Sequence, residues 1–160
     1  MAKAKKSKAK KARQQDAIEL LKRDHAEVKK AFKDFEKAKY KDPNACKEFI
    51  ASICKAIDMH AKVEEEIFYP AVRERIKDDD LMNEALVEHQ SAKQLIAEIR
   101  GLAGDDPLLK ANAMVLSEYI NHHVREEENE MFPKVKRLKL DLEGLAQKML
   151  ARKEELKGQR

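Results

Sequence analysis

Residues 60–70 read HAKVEEEIFYP, and residues 123–133 read HVREEENEMFP. Each stretch begins with a histidine, has a glutamate four residues later and a proline ten residues later. In an α-helix, residues four apart lie on the same face, so the histidine and the glutamate of each pair approach one spot. The two stretches therefore predict two helices with matching polar pairs, His60 with Glu64 and His123 with Glu127.

The same offset recurs along the rest of the chain. A single deletion between Pro107 and His123 relates all the matched positions of the two halves, so we predict a two-fold internal repeat. The matches separated by 64 residues are His25 with His89 and Asp42-Pro43 with Asp106-Pro107, and those separated by 63 are His60 with His123 and Pro70 with Pro133.

Each repeat is predicted to form a helical hairpin. Asp42 and Asp106 are favourable N-caps, and each is followed by a proline at the first helical position. Apolar residues at spacings of three and four predict an all-α fold, an antiparallel up-down four-helix bundle built from the two hairpins, with a short C-terminal helix after Gly144. The predicted helices are A at 14–39, B from Pro43, C at about 80–101 and D from Pro107.

Two details of these helices are open to test. Pro70 and Pro133 are expected to kink or end helices B and D, because proline lacks the N–H that a helix needs. If helix B keeps its period beyond Glu64, Ile67 and Ala71 continue its inward face.

Composition agrees with this fold and excludes others. Only four Gly and four Pro occur in 160 residues, too few turn formers for a β-sandwich or barrel. The chain has no apolar stretch of 18 residues and no apolar segment behind its basic N-terminus, so we expect neither a membrane span nor a secretory signal. Cys46 and Cys54 match no zinc or redox spacing, and we expect reduced thiols in a cytoplasmic protein.

The N-terminal segment 1–13, MAKAKKSKAKKAR, differs in character from the rest of the chain. The formal net charge is +4 for the whole chain and +7 for this segment, which leaves −3 for the remainder. Such a self-repelling, low-complexity run predicts a disordered tail, ahead of a bundle domain at 14–140 and a C-terminal helical extension at 141–160. Two roles stay open for the tail: a solubilising arm, or weak non-specific contact with nucleic acid.

Polar residues interrupt every apolar stripe at similar depth. Burying these groups without partners would cost several kcal/mol each, against a typical net stability of about 5–15 kcal/mol. A metal cluster would compensate, and carboxylates shared between facing helices could hold two metals about 3.5–4 Å apart. The nitrogen and oxygen donors suit iron, and manganese or zinc less well. The residues concerned are His25, His60, Glu64, His89, His123 and Glu127.

Some neighbouring residues offer alternatives. His122 also has a glutamate four residues later, but the repeat favours His123 because Pro133 lies ten residues after it. The flanking acids are predicted to form a solvated acidic face, and the alternative is that one of them orients a ligating imidazole. These acids are Glu65, Glu66, Glu126 and Glu128.

This arrangement resembles the hemerythrin family in its bacterial HHE cation-binding form. The resemblance covers residues 17 to about 140, through DHAEVKKAF around His25, EHQSAK around His89 and the two stretches quoted first. It implies a non-haem di-iron centre with an oxo or hydroxo bridge, four terminal histidines and two bridging carboxylates. By that match the ligands are His25, His60, Glu64, His89, His123 and Glu127.

The resemblance also implies a class of function. Members of the family bind or react with dioxygen, peroxide or nitric oxide, and oxygen carriers have a further histidine one turn after the third-helix ligand. Lys93 occupies that position here, so we expect peroxide breakdown or reactive-species sensing rather than reversible oxygen transport. Lys93 itself is either a solvated lysine or a proton donor or anion attractor near the cluster. The alternatives are a non-enzymatic iron- or oxygen-binding sensor or storage module, and a metal-free bundle that binds DNA.

Overall fold

The computed structural model describes residues 15–159, so the predicted tail at 1–13 lies outside the described residues. Within this range the chain is helical and contains no strand, which confirms the predicted all-α bundle. The up-down order of its four long helices stays a prediction. The elements are α1 Ala17–Lys37, α2 Pro43–Val63, a π-helical segment Glu64–Phe68, α3 Tyr69–Ile76, α4 Asp79–Gly101, α5 Pro107–Glu126, a second π-helical segment Glu127–Met131, α6 Phe132–Arg137 and α7 Leu142–Gly158.

Aspartates determine where the helices begin. Each of α1, α2, α4, α5 and α7 follows an aspartate whose carboxylate accepts a hydrogen bond from a backbone N–H of the first turn. The caps predicted at Asp42 and Asp106 are confirmed, with N–H to Oδ1 distances of 2.7 Å and 2.9 Å. These bonds satisfy backbone donors that have no partner within the helix.

Pro70 and Pro133 do not end their helices, contrary to one of the two outcomes expected. Each proline follows a π-helical segment, and the chain stays helical as far as Ile76 and Arg137. In an α-helix the proline ring would clash with the carbonyl four residues earlier. The wider π turn, closed by the Tyr69 N–H bonding to the Glu64 carbonyl five residues back, relieves that conflict.

The first π segment also moves the buried face by one residue. Ile67 and Ala71, predicted to face inward, are only partly buried, whereas Phe68 and Val72 are 0% exposed. The prediction assumed an unbroken α-helical period, and one extra residue in the turn displaces every following side chain. The inward stripe of this helix was therefore wrong beyond Glu64.

The C-terminal helix is longer than predicted. α7 spans 17 residues and begins before Gly144, whose N–H bonds to the Asp141 carboxylate at 3.0 Å. It buries Met149 and Leu156 and packs against α1, α2 and the first π segment. This placement brings α7 close to the residues around Glu64.

The core consists of two apolar clusters on either side of a polar layer. One cluster contains Phe68, Phe132 and Met149, and the other contains Phe35, Ile53 and Leu116. In α1, Leu21 belongs to the first cluster and Val28 to the second, and His25 lies between them. No helix within residues 15–159 is both long enough and apolar enough to cross a bilayer.

The two cysteines are free thiols, as predicted. Cys54 is buried, and this burial raises its pKa to about 11. Cys46 is partly buried, and its pKa is also raised by burial. Both thiols are therefore neutral at physiological pH and poor nucleophiles.

Candidate metal centre

The structure brings all six predicted ligand residues into one buried cluster. His25, Glu64, His89, His123 and Glu127 are the buried polar residues of the described chain. His60, with a side chain 12% exposed, completes the set. The polar layer between the two apolar clusters is therefore made of these residues.

Two overlapping groups of donor atoms lie within the cluster. His25, His60, Glu64 and Glu127 form a group that we call the first position, and Glu64, His89 and His123 form the second position. In each group the donor atoms lie within 4.8 Å of one another, and Glu64 belongs to both groups. Glu127 also reaches both, because its Oε1 lies 3.3 Å from His25 Nε2 and 3.0 Å from His123 Nε2. The geometry suits two adjacent cations that share two carboxylates.

Several of these atoms lack any hydrogen-bond partner. His60 Nε2 and Glu64 Oε1 lie 3.0 Å apart but outside hydrogen-bond geometry, so they lie side by side without satisfying each other. Each unsatisfied buried group costs about 1–3 kcal/mol, and a metal ion bound between such groups removes that cost. The residues present therefore fit a metal pair. The unpartnered atoms are both ring nitrogens of His25, Nε2 of His60, both carboxylate oxygens of Glu64 and Oε1 of Glu127.

Carboxylates hold three of the four imidazoles at Nδ1. A carboxylate only accepts, so each Nδ1 carries a proton, and Nε2 of a neutral ring presents its lone pair to the cluster. An acid behind the imidazole is the arrangement that orients histidine ligands in metal proteins. The pairs are His60 with Asp24 at 2.9 Å, His89 with Glu65 at 3.2 Å and His123 with Glu88 at 3.0 Å.

His25 is held differently. Its Nδ1 lies 3.8 Å from Glu128 Oε2, too far for a hydrogen bond. Its ring instead stacks on Phe132, with the ring centroids 6.0 Å apart and the planes 2° from parallel. Packing alone therefore orients this imidazole.

The charges of the cluster balance one another when no metal is bound. Burial lowers the pKa of His60, but the negative charge of Glu64 and the hydrogen bond to Asp24 outweigh it and raise the pKa to about 10. Burial raises the pKa of Glu64, but the charge of His60 and further hydrogen bonds hold it well below its usual value. Metal-free protein therefore carries a proton on His60 that a metal must displace.

The repeat contains a signal for the supporting acids that the sequence analysis missed. Asp24 and Glu88 each immediately precede a predicted ligand, and each bonds to the histidine of the other motif in its own half. Glu65, predicted to be solvated, holds His89 instead, so the alternative role given to the flanking acids applies to it. An acid in the same place in both halves, beside a ligand, was the available clue.

The C-terminal helix contacts the same supporting shell. Lys153 of α7 forms an ion pair with Asp24, the acid that holds His60. Burial raises the pKa of Asp24, but His60 and Lys153 outweigh it and lower that pKa, so the carboxylate is charged. Arg152 of the same helix bonds to Glu66 at 2.7 Å. The helix therefore supports the first position through Asp24.

Two residues considered from the sequence lie outside the cluster. The His122 side chain is 59% exposed and lies 3.1 Å from Glu126, whereas His123 is buried among the donor atoms. Lys93 is 47% exposed, and its ammonium donates to Glu65 at 2.8 Å. Lys93 therefore touches His89 only through Glu65.

A small cavity opens onto the cluster. Its volume is about 40 Å³, and all four predicted histidine ligands line it together with aliphatic residues such as Val28, Ile57 and Ile96. A single water needs roughly 10–15 Å³ measured in this way, so the cavity accommodates a molecule of only a few atoms.

Tyr69 was not predicted to belong to the site. Its hydroxyl donates to Glu127 Oε2 at 3.1 Å, and its oxygen lies 3.2 Å from His89 Nε2 and 3.4 Å from His123 Nε2. Burial and the neighbouring charges of Glu127 and Glu64 raise its pKa well above the usual value when no metal is bound.

Comparison with known proteins places the chain in a family. The hemerythrin HHE cation binding domain matches residues 16–135, most of the chain. A DNA nickase from Nostoc sp. (strain PCC 7120 / SAG 25.82 / UTEX 2576) is 28% identical over 118 residues, which make up 74% of this chain and 33% of that protein. This chain thus spans about a third of the relative's length. The crystal structure of a hemerythrin HHE cation-binding domain-containing protein from Mycobacterium kansasii shares the fold, with a TM-score of 0.77 at 23% identity, over 90% of this chain and 88% of that one. The chain belongs to the hemerythrin HHE cation-binding domain family.

Proposed function

We propose that this protein binds two iron ions on an up-down four-helix bundle and reacts there with a small oxidant, above all peroxide. The observation that carries the proposal is the pair of overlapping donor groups joined by Glu64, in which buried nitrogen and oxygen atoms have no other partner. In this proposal His25 and His60 bind the first ion, His89 and His123 bind the second, and Glu64 and Glu127 bind both. When bound, iron supplies redox chemistry and a Lewis acid toward the incoming molecule.

The surrounding residues would perform three tasks. Asp24, Glu65 and Glu88 keep Nδ1 protonated, so that the Nε2 lone pairs are available to a metal. The cavity limits the reactant to a few atoms, which favours peroxide, dioxygen or nitric oxide over organic substrates. Its aliphatic walls keep bulk water away from the cluster.

Lys93 favours reaction over reversible oxygen binding. It stands where the resemblance leads one to expect a fifth imidazole, and its ammonium is engaged by Glu65. The metal pair therefore has fewer protein donors than that of an oxygen carrier and keeps room for an exogenous molecule. Peroxide detoxification or reactive-species sensing follows as the proposed role.

Metal content and peroxide turnover test the proposal. Protein matured in iron-replete cells should contain about two metals per chain, mostly iron, by elemental analysis, and should evolve oxygen from added peroxide. Glu64→Ala should lose both properties. The control Glu66→Ala should keep them, because Glu66 bonds to Arg152 and not to the cluster.

Other outcomes would change the conclusion. Less than half a metal per chain would refute metal binding. A full metal content without faster peroxide loss would favour the sensor or storage role. A stable oxygen complex that reverts when the gas is removed would refute the enzymatic proposal.

A second candidate function, weak contact with nucleic acid through residues 1–13, draws on two observations. This segment carries a charge of +7, and a relative at 28% identity is a DNA nickase. Clustered lysines bind phosphate backbones without regard to sequence and in a salt-dependent way. We propose that such contact is additional to metal binding.

A further inference from the structure

The phenol oxygen of Tyr69 lies at the spacing of a ligand. Two donor atoms bound at right angles to one metal, each about 2.1 Å from it, are about 3.0 Å apart. The Nε2 atoms of His89 and His123 are 3.2 Å apart. The Tyr69 oxygen lies 3.2 Å and 3.4 Å from these two atoms and 3.1 Å from Glu127 Oε2. It therefore belongs to the same small polyhedron as the predicted ligands.

Too few protons are available to explain these contacts as hydrogen bonds. Glu65 and Glu88 hold His89 and His123 as Nδ1–H tautomers, so both neutral rings present lone pairs at Nε2. Tyr69 has one proton and can donate it to only one of its three neighbours. The remaining lone pairs would face one another in a buried site, which is unfavourable unless a cation lies between them.

The π turn explains how Tyr69 reaches this place. In an α-helix a residue five positions after Glu64 would lie about 140° around the axis from it. In a π turn, residue i+5 lies above residue i, and Tyr69 N–H indeed bonds to the Glu64 carbonyl. The second π segment places Phe132 above Glu127 in the same way. Only the first half of the repeat therefore offers an oxygen at this point.

We propose that Tyr69 binds the metal at the second position through its phenolate oxygen. A metal–oxygen bond forms as the phenol O–H bond breaks, the proton is released to water, and no electron is transferred. The second position then has five protein donors and the first has four. In an octahedral site the first position has more room, so the exogenous molecule binds there.

This inference rests on the proposed metal binding, and the test separates the two. The ferric protein should show a visible phenolate-to-iron charge-transfer band, with tyrosinate vibrations enhanced in its resonance Raman spectrum. Tyr69→Phe should abolish both signals and speed loss of one of the two metals to a chelator by about tenfold or more. The control Tyr40→Phe should keep them, because Tyr40 bonds to the Phe35 carbonyl away from the cluster.

The Raman measurement on the unaltered protein needs no variant, so the test does not depend on how well Tyr69→Phe folds. Two bound irons without tyrosinate vibrations would overturn the inference while leaving the proposed function intact. A charge-transfer band that survives Tyr69→Phe would do the same. Absence of bound metal from the unaltered protein would overturn both.

Discussion

The contact between Asp24 and His60 gives a sharp test of how the cluster is supported. Asp24→Asn keeps the size of the side chain but removes the charge that faces His60 Nδ1 at 2.9 Å. Loss of an acid behind a metal-bound histidine typically weakens metal affinity 10–100-fold, about 1.4–2.7 kcal/mol. We expect a loss in this range, with the first position affected more than the second, because His60 belongs to the first.

The metal-free protein should also lose stability. Asp24 makes charge-assisted bonds to His60 and to Lys153, and hydrogen bonds to charged groups contribute about 1.5–3 kcal/mol each. Asp24→Asn should therefore lower the melting temperature of the metal-free protein as well as the metal affinity.

Chelator competition gives the affinity, and thermal melts with and without metal give the stability. Asp58→Asn is the matched control, since Asp58 lines the same cavity but pairs with Arg100 and touches none of the predicted ligands. Asp24→Asn protein that binds metal within twofold of the unaltered protein, or no more weakly than Asp58→Asn protein, would refute the reasoning.

Three further predictions follow from the same site. Removing the metal should clearly lower the melting temperature, because the unpartnered atoms of the cluster lose their compensation, and identical melting curves with and without metal would contradict this. The folded pKa of His60, about 10, exceeds its ordinary 6.5, so its stabilisation of metal-free protein is complete below pH 6.5 and is lost as pH rises through 10. Denaturant melts of metal-free protein should therefore give a lower free energy of unfolding at pH 10 than at pH 7, and an unchanged value would contradict the assignment. Deleting residues 1–13 should leave metal content unchanged but abolish any salt-sensitive retardation on nucleic acid, and full-length protein that shows no retardation at low salt would leave the solubilising arm as the better account.

The helix starts and the cluster residues could be predicted because short sequence spacings determine them. An aspartate before a proline specifies a helix N-terminus through local bonds alone, as Asp42 and Asp106 show. His60 and Glu64 share a face through their four-residue spacing, and the repeat carries the same argument to His123 and Glu127. Apolar neighbours on both sides then place these residues at one depth of the bundle.

The π turns and the supporting acids could not be obtained in this way. A prediction based on a period of 3.6 residues places Ile67 inside and gives Tyr69 no part in the site, whereas the wider turn buries Phe68 and brings Tyr69 to the cluster. Glu65 was misplaced for a related reason. Its partner His89 belongs to another helix, and the helical period of α2 says nothing about what lies across from it.

The two halves of the repeat are alike in their ligands and unlike in what surrounds them. Glu65 is within hydrogen-bond distance of His89, whereas its counterpart Glu128 stays 3.8 Å from His25. The aromatic residue above the shared carboxylate offers an oxygen in one half and a stacking surface for His25 in the other. Both differences leave the first position with fewer donors and a ligand without a hydrogen bond, and a metal held by fewer and less constrained ligands exchanges its remaining site more readily. The divergence of the halves thus favours a division of roles, in which the second metal is held firmly and the first takes up the small molecule.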